Sequence, residues 1–156
     1  MESSELAALV PGIMSSLPSC DWSFGSSERY PHDVIVRISL GSDPLRSAMV
    51  TVAAGLELFF LEFQGFEDTD FAYDDDDRRE VLKDRLSQAV HAVRGPTHVI
   101  LERDGQKVVS CRLLLLGEGG NSIDGPFGTS WPFRRLAARL RFRRLVKTAI
   151  DVPACD

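Results

Sequence analysis

Apolar residues change their period along this chain, and the changes mark out its elements. Leu6, Leu9, Val10, Ile13, Met14 and Leu17 recur at helical spacing, which predicts a helix over 4–17 with Ser3 or Ser4 as its cap. Pro11 lacks the amide hydrogen that a helix interior uses, so it should kink this helix or open its second part. Residues 18–32 are rich in Ser, Pro and Gly and read as a loop, with Trp22 and Phe24 as anchors on the core. The period then falls to two. Val34, Val36, Ile38 and Leu40 alternate with Ile35, Arg37 and Ser39 as in a half-buried strand, and Gly41 to Pro44 supply a turn. Residues 46–53 alternate again, and after Gly55 the stretch Leu56 to Phe63 is apolar on both sides. A strand of that kind belongs near the middle of a sheet with cover on each face.

The second half begins with the clearest helix. Asp74 to Asp77 offer a cap and an acidic first turn, Val81, Leu82, Leu86, Ala89, Val90 and Val93 form one stripe, and Gly95-Pro96 ends it. Strands over 97–103 and 107–116 follow, joined through Asp104-Gly105-Gln106 as a hairpin, and 117–130 reads as a glycine-rich loop. Pro132 predicts a short helix over 132–138. Beyond it Arg139 to Arg143 alternate with period two, which suits an extended piece, and 149–156 read as a loose tail. These elements predict one α+β domain spanning 1–156. Its mainly antiparallel sheet has about five strands and is backed by the N-terminal helix and the central amphipathic helix, with a C-terminal basic segment that is helical or extended.

Charge changes this picture more than composition does. The 156 residues are 44% apolar and 26% charged, an ordinary globular balance, and the net charge is −5. From Glu62 to Glu80 nine acids face two arginines, whereas from Arg134 to Lys147 seven bases meet no acid. Residues 1–133 hold 11 bases and 21 acids, a balance of −10. Such a body repels phosphates, so general nucleic-acid binding is not expected and a cationic protein partner is. Three cysteines with no Cys-x-x-Cys fit a reducing cytoplasm. Glu2 and Glu5 stand where an export signal needs bases, and no apolar run approaches the ~20 residues that cross a bilayer, so a cytoplasmic protein without a membrane partner is expected.

Candidate chemistry is sparse. Asp74 to Asp77 are contiguous and enter a helix, so they fan around its axis and lack the alternation of a calcium loop. Helix capping with a solvated face, a partner-binding surface and a metal site are the three readings, and no metal or cofactor is expected. His91, His98 and Cys111 could approach one another around Gly95-Pro96, although no zinc spacing supports them. Gly117-Glu118-Gly119-Gly120-Asn121 lacks the Lys-Ser/Thr ending of a phosphate loop, and Gly-x-Ser-x-Gly is absent. Arg134, Arg135, Arg139, Arg141, Arg143 and Arg144 beside Trp131, Phe133 and Phe142 form a possible secondary basic surface. It could hold nucleic acid or pair with the acidic block.

Two resemblances add to these residues. The order helix, three strands, helix, two strands, terminal segment over most of 4–148 resembles the type III secretion chaperones and YbjN-like domains. Gly65-Phe66 leading into Phe71-Ala72-Tyr73 and Asp74 to Asp77, then a helix and a hairpin carrying Glu102-Arg103-Asp104-Gly105, is similar to polymorphic-toxin immunity proteins. Both imply a non-enzymatic cytosolic protein that masks one protein partner, a toxin or a secreted client, with a homodimer as a further possibility. The expected contacts are Asp68, Asp70, Asp74, Asp75, Asp76 and Asp77, with Phe66, Phe71 and Tyr73 as aromatic anchors. The alternatives are a chaperone holding an extended client, a nucleic-acid module working through the arginines, and a hydrolase or metal enzyme in which His91, His98 and Cys111 meet.

Overall fold

The computed structural model describes residues 1–117, 119–140 and 144–155, and for 124–126, 129, 135 and 139 the backbone. Helix α1 (Ser3–Ser16) runs through Pro11 without a break, and its start lies at Glu2, whose N–H donates to the Glu5 carboxylate, in place of the expected serine cap. Its buried positions, Leu6, Val10 and Met14, form one stripe at four-residue spacing. A five-stranded antiparallel meander follows: β1 (Asp21–Gly25), β2 (Val34–Ser39), β3 (Ser47–Val52), β4 (Leu58–Phe63) and β5 (Phe66–Phe71). Helix α2 (Asp75–Arg94) leads to β6 (Thr97–Asp104), β7 (Lys107–Leu116), β8 (Ser122–Ser130), α3 (Pro132–Leu140) and β9 (Val146–Val152). These later strands form a second antiparallel sheet, ordered β8-β7-β6-β9.

The α+β class, the antiparallel pairing and the N-terminal and central helices are as the periodicity predicts. Four strands are not. β1 lies inside the expected 18–32 loop, β8 occupies most of the expected 117–130 loop, and β9 uses residues assigned to a loose tail. β5 is built from Phe-Glu-Asp-Thr-Asp-Phe, a composition that strands seldom use. The described strands therefore make two sheets of five and four in place of one of about five. α3 extends two residues past the expected 138, and the rest of the period-two piece at 141–143 lies outside the described residues.

Helix α2 lies between the sheets, packing on β2, β3 and β4 of the first and on β6, β7 and β9 of the second, with α1 beside it. Hence its buried surface is a broad band of Leu82, Arg85, Leu86, Ala89, Val90, Ala92 and Val93. Val36, Val50 and Leu61 stand in register on the face that meets it, and Val34, Val52 and Phe59 form the neighbouring row. On the other side Val99, Leu101, Cys111 and Leu113 close a single apolar cluster that reaches both sheets.

Two backbone sites shape the route. The β4–β5 hairpin turns at Gln64 and Gly65, both at positive φ. At the end of α2, Gly95 has φ +70, and a Cβ there would collide with the carbonyls of Val152 and Pro153. Only glycine combines that torsion with that approach. Gly95→Ala is therefore expected to cost about 1–3 kcal/mol of stability, read as a lowered midpoint in urea denaturation.

Candidate functional site

The acidic segment divides in two when its side chains are placed. Asp68 shares the inner row of Val36, Val50 and Leu61, and Asp70 shares that of Val34, Val52 and Phe59. They face α2, and the partner they meet is Arg85, a helix residue only 3% exposed. Its guanidinium lies 3.0 Å from Asp68, 3.5 Å from Asp70, and donates to Gln88 at 3.1 Å. A buried guanidinium needs such partners, because desolvation without them is prohibitive. Asp68 and Asp70 thus hold the sheet edge to the helix, and Phe66, 1% exposed, belongs to the core. The expectation that Phe66 and Asp68 lie on a docking surface is corrected, because β5 alternation turns them inward; Asp70, on the same face near the strand's end, keeps 53% of its side chain exposed while it pairs with Arg85.

The remaining expected residues do face solvent. Asp74 is the α2 cap, its carboxylate accepting from the N–H groups of Asp76 and Asp77 at 3.0 and 2.9 Å. Asp75 pairs with Arg78 at 2.8 Å, and that hydrogen bond, together with the nearby N-terminal amine, holds the Asp75 carboxyl below the usual carboxylate range. Asp76 pairs with Arg79 at 3.4 Å. All four aspartates are exposed. Exposed pairs of this kind contribute only ~0–1 kcal/mol each and leave the patch acidic. Directly before it stand Phe71 and Tyr73, 55% and 79% exposed.

The secondary basic surface is partly visible. Arg134 stacks over Trp131, 5.0 Å from its ring centroid, and donates to the Val108 carbonyl at 3.2 Å, which pins α3 to β7. Arg144 is exposed; Arg141 and Arg143 lie outside the described residues, as do the side chains of Arg135 and Arg139. The histidines do not converge with Cys111. His91 Nε2 meets the Leu116 carbonyl, His98 Nδ1 pairs with Asp151 on the outer face of β6, and the Cys111 thiol points inward to the Glu67 carbonyl. Among the described residues no three His, Cys, Asp or Glu side chains gather as metal ligands.

One feature escaped sequence reasoning. The face of the first sheet opposite α2 is an open trough, made of two adjoining hollows of about 440 and about 390 Å³ that share Arg37, Met49, Glu62 and Glu67. Its floor carries Ile35, Met49, Thr51 and Phe60, and the half-buried Leu58 continues it toward Phe71. Among the described residues no helix lies over it, so β4 has cover on one face only. Across its middle Glu62 and Glu67 are direct cross-strand partners. Like charges so placed repel. Although most of the Glu62 side chain is open to solvent, crowding by the trough pushes its carboxyl above the ordinary value, and Glu67 adds to the shift. The apolar outer positions Leu58 and Phe60 were the available signal.

No family model, no curated protein and no solved structure matches this chain. The site rests on geometry.

Two measurements follow from the divided acids. Asp68→Asn leaves Arg85 with one half-exposed carboxylate and should cost stability toward the lower end of the about 3–5 kcal/mol that breaking a buried pair costs, whereas Asp76→Asn should cost under about 1 kcal/mol; urea titrations compare them. For Glu62, the folded state keeps its proton to higher pH than the unfolded chain does. Stability is therefore lost as pH rises from the ordinary value of 4.5 through the raised one. Glu62→Gln should raise the urea midpoint near neutral pH and remove that part of the slope.

Proposed function

We propose that this chain is a non-enzymatic cytoplasmic protein that neutralises a cognate toxin by covering a basic surface on it. The reading is supported above all by the approach to α2, where the exposed aromatic rings of Phe71 and Tyr73 stand beside four solvent-facing aspartates. Aromatic side chains supply contact area at small entropic cost and are frequent binding hot spots. Carboxylates beside them draw in a cationic partner, raise its association rate and disfavour anionic competitors. From Asp74 to Glu80 five acids meet two arginines, so the patch keeps a net negative charge after its short-range pairs are counted.

Asparagine caps a helix as well as aspartate does, so Asp74, Asp75, Asp76 and Asp77 can all become Asn with the start of α2 kept. Against the toxic product of an adjoining reading frame, co-expression of this chain should restore growth. The fourfold Asn variant should then associate about tenfold more slowly at low salt and with a flatter salt dependence. Tyr73→Ala should weaken binding by about 2 kcal/mol. An unchanged association rate and an unchanged salt response in the Asn variant would remove this patch from the interface.

A further inference from the structure

Among the described residues two surfaces of opposite sign and opposite curvature have no partner element. The first is α3. Phe133, Leu136 and Leu140, at i, i+3 and i+7, are 84%, 55% and 72% exposed, while Ala138 is fully buried. Arg134 ties the helix to β7 from the other side, so its apolar stripe faces away from the protein's own core. The helix contains Arg134, Arg135 and Arg139 and no acid, and the exposed Arg144 and Lys147 follow it. Large exposed apolar side chains in a contiguous row mark an interaction surface. The second is the trough, apolar along its floor and crossed by the paired Glu62 and Glu67.

We infer that the trough of one copy receives α3 of a second copy of this chain. The charges complement each other: Asp33, Glu62 and Glu67 outnumber Arg37 in the trough and leave it net acidic, and the helix that meets it is basic. Dimensions agree as well: nine helical residues span about 13 Å, and the three strand spacings from β2 to β5 span about 14 Å. Laying an amphipathic helix on the apolar face of a sheet is how layered α/β structures bury both, and anchors at i, i+3 and i+7 are those of helix-in-groove recognition. The docked helix supplies the cover that Leu58 and Phe60 lack within one chain. The inference is independent of the toxin reading, which rests on Phe71, Tyr73 and the α2 cap.

The test is the mass of the full chain by sedimentation, with circular dichroism confirming that each variant is folded. Wild type should form a two-copy complex that weakens as salt rises. Leu136→Asp and, separately, Phe133→Asp should raise its dissociation constant at least about tenfold, as should Glu62→Lys with Glu67→Lys. Since the first kind of variant keeps an intact trough and the second an intact helix, mixing Leu136→Asp with the glutamate double variant should recover a one-to-one complex. A monomeric wild type overturns the inference, as does a dimer indifferent to these substitutions or a mixture that stays monomeric. A monomeric wild type whose Leu136→Asp variant loses binding to phosphatidylglycerol vesicles would assign α3 to an anionic lipid surface instead.

Discussion

A single helix, α2, serves as the apolar cover for two sheets at once. Its buried residues run from Leu82 through Leu86 and Ala89 to Val93 in a band too broad for one contact face, because sheets press on it from both sides. Where α2 must bring a polar group into that space, at Arg85, the fold answers with Asp68 and Asp70 from the edge strand. The arrangement also has an outward consequence. With α2 spent between the sheets, no helix among the described residues covers the outer side of β2 to β5, and an open trough with an apolar floor remains there.

Much of this framework can be read from periodicity. The stripe of α1, the alternation of β2 and β3, and the cap, stripe and Gly95 stop of α2 each follow from local patterns strong enough to survive tertiary context. The strands that resisted reading have another origin. β5 is a strand because Asp68 and Asp70 find Arg85 across the sheet edge; without a sequence-distant arginine its acids look like a solvated approach to a helix. β1, β8 and β9 form by pairing with β2, β7 and β6, and their glycines, serines and exposed positions say little about partners that lie far along the chain. Ladders of that sort are tertiary facts, and β-propensity reports them poorly.

The candidate site shows the same division. Tyr73, Asp74 and the first turn of α2, Asp75 to Asp77, stay at the surface at the exposed amino end of the helix. Phe66, directly after the Gln64–Gly65 turn, starts a strand and falls inward by alternation alone. Over 132–147 the bases obscured the apolar spacing, since on a helix of that length they fall on every side. Once α3 ends at Leu140, Phe133, Leu136 and Leu140 resolve into a stripe.

Charge sorting, the most visible property of the sequence, thus has three physical consequences. Asp68 and Asp70 neutralise a buried guanidinium, Asp68 from within and Asp70 from the solvent side. Asp74 to Asp77 complement the amino end of α2, whose dipole favours negative charge, and remain in contact with water. Glu62 and Glu67 oppose each other across a ladder, an arrangement that costs stability and that a sheet built for folding alone would avoid. A sequence tolerates such a local conflict where an external contact resolves it. The glutamate pair, and not the longer aspartate run, is therefore the charge conflict that this fold leaves open on its sheet face, with Arg37 the cation that lines the same trough.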